Sequence, residues 1–350
     1  MSSTIREIRK HYSSAYITLV VEKKSANLAE CCPYIDEMIA APFMSTPNEF
    51  TQIFIANLNI ARDLLRQRLD IALAFAYSIA PNVPLLAYMS GAKMRITHNG
   101  GIWTPLVTNL VPPIAGKHHS IDAELSYAEY LIKQPIVNRA LEAWVDQSDL
   151  DFAQSVLPST TKLYAIGLGG SKARKHYPPK SYAKLINMLL RADEQLQFVV
   201  LGGSTDVDEA AIIMANVERN RMIDLVGKTT FRQTTAVLNS CDLYIGNDSV
   251  AMHLAAATET PVLAPFCFPS DLHLPHNVID NWYPYGVPSV TVQPAHALPE
   301  CRGSKNFYGC RADHPHCITQ ITPLDMFRAY NLLLERIAEN NTEPLIVGSN

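Results

Sequence analysis

The chain has 350 residues, of which 48% are hydrophobic and 18% charged, and its formal net charge is −4. This length favours two domains, the composition excludes wholesale disorder, and the slight negative charge argues against nucleic acid as a partner. No apolar run reaches the ~18–20 residues of a membrane helix. Residues 1–30 lack a secretory signal, and an odd number of cysteines, 7, fits a reducing compartment. We therefore expect a cytoplasmic protein.

The hydrophobic pattern of the first half predicts both strands and helices. Strands are expected at residues 16–21 (YITLVV) and 71–77 (IALAFAY), and helices over residues 50–69, 84–89 and 122–133. Residues 96–113 are rich in Gly, Pro and Asn, which predicts a loop, and residues 144–157 predict a strand followed by a short helix. The sequence opens within a helix over residues 1–12, and such a start usually has an element ahead of it.

The second half repeats one strand–helix unit several times. Strands are predicted at residues 163–166, 198–201, 223–225, 243–245 and 262–266, and helices over residues 180–190, 208–218, 230–239 and 323–337. Such repeats indicate a parallel, doubly wound sheet with right-handed crossovers. The boundary between the two domains is expected near residues 150–162.

A glycine-rich turn, Gly167-Leu-Gly-Gly-Ser-Lys-Ala-Arg-Lys175, follows the first strand of the second half. Ligands of open parallel sheets bind beyond the carboxyl ends of the strands, where glycines let backbone N–H groups approach an anion and lysine supplies charge. These residue types suit a phosphate or diphosphate, although the spacing matches neither a P-loop nor a dinucleotide fingerprint. The alternative is an ordinary turn with a solvated basic run.

A second polar turn, Gly246-Asn-Asp-Ser249, ends another predicted strand, and His253 lies one helical turn further along. Asp248 and Ser249 are residue types that commonly cap a helix, and a lone His near a helix start more often packs than binds. Together, the three side chains have the donors and acceptors to hold a phosphate, a ribose and a sugar hydroxyl. Two such turns in one sheet favour a nucleotide-type ligand.

The order of these motifs resembles glycosyltransferase family 9, the lipopolysaccharide heptosyltransferase group. The matching stretches are ITLVV followed by CCPYIDEMI, then GLGGSKARKHYP, FVVLGG and GNDSVAMHLAAATETPVLAPF, which together span most of the chain. The resemblance implies an α/β, GT-B-like fold in which two Rossmann-like, doubly wound parallel-sheet domains face a cleft. It places an acceptor-side domain at residues 1–155, a nucleotide-sugar-binding domain at 156–322 and a final segment, 323–350, whose helix crosses back to the first domain.

The resemblance also implies an inverting, metal-independent transfer of a sugar that needs no cofactor. The donor would be a nucleotide sugar, with ADP-heptose as the candidate, and the acceptor a glycan or lipid-linked molecule such as lipopolysaccharide core. A lipid-linked acceptor would bring the protein into peripheral contact with the inner membrane. Arg6, Arg9 and Lys10 of the first helix are candidates for that contact, a solvated helix face being the alternative.

The family's donor-binding positions carry over onto the two polar turns. Lys175 is expected to stabilise charge on the leaving diphosphate, as the catalytic residue of this set. Val250 stands where the family has glycine, and its side chain is expected to crowd an approaching phosphate. The expected nucleotide-sugar contacts are Gly170, Ser171, Lys175, Asp206, Asp248, Ser249 and His253.

The start of the chain departs from the family pattern. The family opens with a strand and a Gly-Asp turn ahead of a helix that resembles STIREIRKHY, and the Asp of that turn is its expected general base. This sequence begins at Met1, past that point, so we expect the first strand and the catalytic Asp to be missing. Glu22 and Asp36 are other carboxylates of this half, but no pattern singles out either as a substitute. A catalytically weak or inactive nucleotide-sugar-binding homologue is therefore the alternative function, and a sugar-nucleotide epimerase is a third that the motif order disfavours.

The cysteines near the carboxyl terminus form a separate pattern. Cys301, Cys310 and Cys317 lie close to His314 and His316, which would suit a metal site. The tight C-x2–4-C pair of most zinc sites is absent from this pattern, so we expect no metal here. Free buried thiols or a disulfide within the loop are the other interpretations.

Overall fold

The computed structural model describes residues 1–42, 50–75, 82–98, 101–114, 118–158, 162–271, 278–299 and 314–349. The chain forms two compact units, Met1–Arg139 and Ala140–Asn350. This division precedes the expected range of 150–162, because helix α5 (Gln147–Val156) packs against α8 (Phe231–Leu238) of the second unit. Arg232 of α8 holds the two helices together through ion pairs of 2.9 Å to Asp146 and to Asp149.

The second unit is built on a seven-stranded sheet in which every neighbouring pair is parallel. The order of its strands is β12-β11-β10-β9-β6-β7-β8, so the chain adds strands first on one side of β6 and then on the other. Its strands are β6 (Leu163–Gly167), β7 (Gln197–Leu201), β8 (Met222–Asp224), β9 (Leu243–Gly246), β10 (Val262–Pro265), β11 (Ser289–Gln293) and β12 (Leu345–Gly348). The remaining helices are α6 (Pro179–Ala192), α7 (Val207–Met214), α9 (Val250–Ala257), α10 (Val278–Trp282) and α11 (Pro323–Ala338).

Burial on both faces explains why the central strands of this sheet are continuously apolar. Every residue of β6 (LYAIG), β9 (LYIG) and β10 (VLAP) is buried, as expected for strands covered by helices on both sides. Helix α6 buries Tyr182, Leu185, Ile186 and Leu189, which recur at helical spacing on one face. This core fixes the carboxyl ends of the strands, where polar turns begin.

The first unit contains two smaller parallel sheets. Strands β1 and β2 form one, and β3, β4 and β5 form the other in that order. The strands are β1 (Thr18–Glu22), β2 (Glu37–Ala41), β3 (Ile71–Leu73), β4 (Met94–Thr97) and β5 (Asn109–Leu110). The helices are α1 (Ser2–His11), α2 (Phe50–Gln67), α3 (Asn82–Met89) and α4 (Ser120–Ile132).

Most predicted elements are present, and the predicted α/β class with parallel sheets is confirmed. Two predictions for the first half are wrong: residues 96–113 contain β5 and the end of β4 rather than a loop alone, and residues 144–157 contain α5 without a strand. The elements without a counterpart among the predictions are β2, β4, β5, β11, β12 and helix α10. In the part of the chain that the structure describes, no helix is both long and apolar enough to cross a membrane.

The final segment lies within the second unit. Helix α11 packs on β10, β11 and α6, and β12 extends the sheet beyond β11. Thr322 and Asp325 form a capping box at the start of α11, which begins with Pro323. The predicted crossing of this helix to the first domain stays a prediction.

Candidate functional site

The two polar turns follow neighbouring strands, β6 and β9. These strands pair in parallel, with Gly167 opposite Gly246. The strand order reverses between them, because β7 and β8 continue on one side and β10 to β12 on the other. Ligands of doubly wound sheets bind at such a reversal, beyond the carboxyl ends of the strands. Both predicted turns therefore begin where a ligand is expected.

Lys175 and Asp248 connect the two turns through an ion pair. Lys175 lies on a short 3-10 turn, Ala173–Lys175, and its Nζ is 2.6 Å from Oδ2 of Asp248. The two side chains are 19% and 8% exposed, respectively. A carboxylate so far removed from solvent needs a nearby cation. Lys175 and Asp248, one predicted residue of each turn, thus lie in contact, with an ammonium group fixed between the two turns.

Asn247 fixes the shape of both turns and was not singled out from the sequence. It is fully buried, and its Nδ2 donates a hydrogen bond of 2.5 Å to the carbonyl of Leu168. Its Oδ1 accepts from the backbone N–H of Tyr177 at 3.0 Å and from the hydroxyl of Tyr182 at 2.8 Å. One amide therefore ties the end of β9 to both ends of the glycine-rich turn. The sequence signal that could have indicated this role is an asparagine directly after an apolar strand.

Two glycines at the ends of β6 and β9 make room for the ring of Tyr244. A Cβ atom added at Gly167 would lie 1.9 Å from the Tyr244 hydroxyl, and one at Gly246 would lie 2.4 Å from it. The hydroxyl lies 3.5 Å from Oγ of Ser249, at the start of the polar turn. Burial raises the pKa of Tyr244 well above its usual value, so this group stays a neutral phenol. Both glycines are thus required by packing beneath the site.

Asp206 lies at the end of the neighbouring strand β7, where it shapes a turn. Its buried carboxylate accepts a hydrogen bond of 2.7 Å from the N–H of Gly203, and Thr205 donates another of 3.3 Å. A Cβ atom added at Gly169 would lie 3.6 Å from the same carboxylate, so Asp206 adjoins the glycine-rich turn. Its predicted contact with a nucleoside stays a prediction, and the role that the structure shows is to close the Gly202–Gly203 turn.

His176 links the glycine-rich turn to helix α7. Its Nδ1 lies 2.9 Å from Oε1 of Glu209 and its Nε2 lies 3.2 Å from the carbonyl of Gly170. Both neighbours are acceptors, so only the protonated imidazolium donates to both. Glu209 is the main cause that raises the pKa of His176 above its usual value. His176 therefore holds the turn in place through both ring nitrogens, and protonation strengthens this contact.

Helix α9 begins without a side-chain cap. Ser249 is its N-cap residue, but no side chain accepts a cap hydrogen bond there, and the Asp248 carboxylate faces Lys175 instead. The capping role considered for these two residues is thus not the one observed. The side chain of Val250 is 45% exposed and lies at the surface of the turn, and the predicted crowding of a phosphate stays a prediction.

Ser171 and His253 occupy the margins of this region. Ser171 is exposed on the glycine-rich turn, where its hydroxyl is open to a ligand. His253 is half-buried on α9, and its ring lies 6.3 Å from the ring of Trp282 in an edge-on arrangement. His253 is therefore held by an aromatic neighbour that the sequence pattern did not indicate.

The described residues include only one of the three cysteines near the carboxyl terminus, Cys317. Cys301 and Cys310 lie outside the described residues. Cys317 is buried, and its Sγ lies 3.4 Å from Nδ1 of His316. Among the described residues, no group of three or more His, Cys, Asp or Glu side chains has the arrangement of a metal site.

The sequence matches a known family and known proteins over most of its length. The model of glycosyltransferase family 9 (heptosyltransferase) matches residues 58–281, which include both polar turns. The lipopolysaccharide core heptosyltransferase OpsX of Haemophilus influenzae is 22% identical over 283 residues, covering 80% of this chain and 78% of that protein.

Solved structures show the same fold. A family 9 glycosyl transferase from Veillonella parvula superposes with a TM-score of 0.75 at 19% identity, covering 96% of this chain and 93% of that one. The Escherichia coli ADP-heptose lipopolysaccharide heptosyltransferase II superposes with a TM-score of 0.72 at 19% identity, covering 96% and 95%. These similarities confirm the predicted GT-B-like class. Because the family model covers more than half of its length, the chain belongs to glycosyltransferase family 9, the heptosyltransferases.

Proposed function

We propose that the protein transfers a sugar from a nucleotide-sugar donor to a glycan or lipid-linked acceptor, with inversion at the anomeric carbon and without a metal ion. The Lys175–Asp248 ion pair at the reversal of the strand order carries the proposal. Similar proteins are named as lipopolysaccharide heptosyltransferases, and one is named for ADP-heptose, so ADP-heptose is the candidate donor and lipopolysaccharide core the candidate acceptor.

In this proposal the donor diphosphate lies over the glycine-rich turn. Lys175 turns from Asp248 toward a phosphate oxygen, and its ammonium acts as a point charge without strict geometry. The open N–H groups at the start of α9 offer further donors, since a helix amino terminus favours negative charge. Asp248 would repel a phosphate but can accept a hydrogen bond from a sugar hydroxyl.

The chemistry follows from this placement. The acceptor hydroxyl oxygen attacks the anomeric carbon of the donor from the face opposite the diphosphate. The bond from that carbon to the diphosphate oxygen breaks, the leaving diphosphate gains negative charge, and the hydroxyl proton passes to a base. Lys175 stabilises the developing charge more than the ground state, which accelerates the transfer. No metal is required if this cation and the helix N–H groups supply the stabilisation.

Asp36, one of the two carboxylates considered as a base, is occupied. It accepts hydrogen bonds from the N–H of Ile17 at 2.7 Å and from the guanidinium of Arg9 at 2.5 Å. The Ile17 N–H, together with Arg9, lowers the pKa of Asp36, which makes it a poor proton acceptor. This observation favours the second candidate function, a nucleotide-sugar-binding homologue whose transfer is slow.

The basic residues of α1 also serve the fold. Arg6 is buried and donates hydrogen bonds to Glu7 and to the carbonyl of Asn138. Arg9 donates to Asp36. Lys10 pairs with Glu7 at 3.0 Å. The predicted cytoplasmic location with peripheral membrane contact therefore stays a prediction, and these side chains give it little support.

A transfer assay separates the two candidate functions. The protein would be incubated with ADP-, GDP- and UDP-sugars and with lipopolysaccharide core acceptors, and products would be identified by mass spectrometry and their anomeric configuration by NMR. An inverted product supports the enzyme. Donor binding with a turnover rate that is lower by ~10²–10⁴, the factor that a positioned general base contributes, supports the binding homologue. Failure to bind any nucleotide sugar contradicts both.

A further inference from the structure

His98 follows the middle strand of the three-stranded sheet in the first unit. Strand β4 ends at Thr97 and lies between β3 and β5, with which it pairs in parallel. Ligands of open parallel sheets bind beyond the carboxyl ends of the strands. His98 therefore begins at the edge of this sheet where a ligand is expected, although the sequence did not single it out.

Helix α4 and the end of β3 hold His98 in one orientation. The hydroxyl of Tyr127, on α4, accepts a hydrogen bond of 3.1 Å from the backbone N–H of His98 and donates one of 3.0 Å to the carbonyl of Ala74. The rings of His98 and Tyr127 lie edge-on, with their centroids 4.6 Å apart. The protein itself thus positions the imidazole, which is what a group that takes part in a reaction needs.

The contacts of Nε2 determine which ring nitrogen of His98 carries the hydrogen. Nε2 lies 2.9 Å from the carbonyl oxygen of Ala123, which can only accept a hydrogen bond. It also lies 2.7 Å from Oγ of Ser126, whose single hydrogen goes to the same carbonyl at 2.7 Å. Both neighbours therefore need a hydrogen on Nε2, and a neutral imidazole then has its lone pair on Nδ1.

Nδ1 of His98 is the nitrogen that a ligand can reach. The two nitrogens of an imidazole face different ways, so Nδ1 points away from the α4 atoms that contact Nε2. Among the described residues, Nδ1 has no hydrogen-bond partner, and His98 is only half-buried. His119, at the start of α4, differs because it is buried and its Nδ1 accepts from the N–H of Ile121 at 3.1 Å. Of these two histidines, only His98 offers a basic nitrogen to a substrate.

We propose that Nδ1 of His98 is the general base of the sugar transfer, an inference that rests on the proposed function. The transfer needs a proton acceptor, and Asp36 is occupied by Arg9 and the N–H of Ile17. Nδ1 takes the proton of the acceptor hydroxyl while the hydroxyl oxygen bonds to the anomeric carbon and the bond from that carbon to the diphosphate oxygen breaks. The imidazolium that forms keeps its Nε2 hydrogen bonds and then passes the added proton to water.

Two substitutions distinguish a general base from a packing residue. In His98→Gln the amide nitrogen can still donate to the Ala123 carbonyl, but the side chain has no basic nitrogen. In His98→Ala the ring is removed, which leaves room for imidazole from solution. His11→Gln is the matched control, since His11 is exposed on α1. Turnover, donor affinity by calorimetry and the unfolding temperature are measured for each protein.

We expect His98→Gln to lower kcat by ~10²–10⁴ while the donor Kd and the unfolding temperature stay close to those of the parent. Added imidazole should raise the turnover of His98→Ala at least ~10-fold, because it restores a base at the vacated place. His11→Gln should behave as the parent does. Turnover of His98→Gln within about threefold of the parent would overturn the proposal. A loss of turnover matched by a loss of donor affinity, without rescue by imidazole, would also overturn it.

Nitrogen NMR of the His98 ring in the unmodified protein tests the tautomer even if a variant does not fold. At alkaline pH the spectrum should show the hydrogen on Nε2, and a hydrogen on Nδ1 would overturn the proposal. The outcomes also separate this inference from the proposed function. A parent protein that binds a nucleotide sugar but transfers none overturns both, whereas transfer that survives His98→Gln overturns the role of His98 alone.

Discussion

Replacement of Lys175 by alanine should weaken the binding of a sugar nucleotide and of its nucleoside diphosphate while leaving the bare nucleoside unaffected. The ammonium contributes a charge to the diphosphate and nothing to the base or the ribose. A charge-assisted contact of this kind contributes ~1.5–3 kcal/mol, which is about ten- to a hundredfold in affinity. The side chain is only 19% exposed, so the value for a buried contact applies rather than the ~0–1 kcal/mol of a surface pair.

The same substitution should lower the stability of the ligand-free protein. Without the ammonium, the carboxylate of Asp248, 8% exposed, loses the cation 2.6 Å away. Leaving such a group without its partner costs ~1–3 kcal/mol. The double variant Lys175→Ala/Asp248→Ala should recover part of that loss, because no buried charge remains. Thermal unfolding of the two variants measures the difference.

Calorimetric titration with the sugar nucleotide, the nucleoside diphosphate and the nucleoside provides the assay. Lys172→Ala is the matched control, since Lys172 is an exposed lysine on the same turn. Asp248→Ala should weaken the binding of the intact donor but not the binding of the nucleoside diphosphate, because the Asp248 carboxylate is expected to contact the sugar. The reasoning fails if Lys175→Ala binds all three ligands as the parent does, or if Lys172→Ala produces the larger loss.

Three further predictions concern pH, packing and metal dependence. Glu209 raises the pKa of His176, so His176 should stabilise the protein relative to a His176→Gln variant. This stabilisation should be complete below pH ~6.5 and decline as the pH rises through the folded-state pKa of His176. A difference in unfolding free energy between the two proteins that is constant from pH 6 to 9 would contradict this. Gly167→Ala should destabilise the protein by ~1–3 kcal/mol, because the added Cβ clashes with Tyr244. Gly348→Ala, which has open space around the added Cβ, should change the unfolding midpoint little. Equal shifts of the unfolding midpoint in the two variants would refute the packing argument. Excess EDTA should leave the rate of any sugar transfer within about twofold, because a fixed cation supplies the charge stabilisation; a loss restored by Mg²⁺ or Mn²⁺ would show otherwise.

The second unit could be predicted from sequence in most of its elements because its strands are buried on both faces. Continuous apolar runs such as FVVL and LYIG, each followed by a turn and a helix, leave few alternatives. Strands β11 and β12 were missed because SVTVQ mixes polar with apolar residues and LIVG, at the edge of the sheet, has only four residues, so neither forms a long apolar run. Residues 96–113 were assigned to a loop because they are rich in Gly, Pro and Asn, and the two residues of β5 are too few to show a periodic pattern.

The candidate site was predictable in its location but not in its internal contacts. The rule that ligands bind beyond the carboxyl ends of parallel strands was sufficient to place Lys175 and Asp248 at one edge of the sheet. That these two side chains pair depends on the three-dimensional path of the glycine-rich turn, which is set by Asn247 and His176. Their partners, such as Leu168, Tyr182 and Glu209, are distant in sequence or lie on other elements, and no spacing pattern identifies them.

The most direct test of the donor site is a crystal structure of the protein with ADP-heptose or its non-hydrolysable analogue. The account predicts a diphosphate oxygen at ~2.7–3.2 Å from Nζ of Lys175, with the sugar facing Asp248 and the original ion pair opened. A donor bound away from the ends of β6 and β9, with the Lys175–Asp248 pair intact, would contradict it.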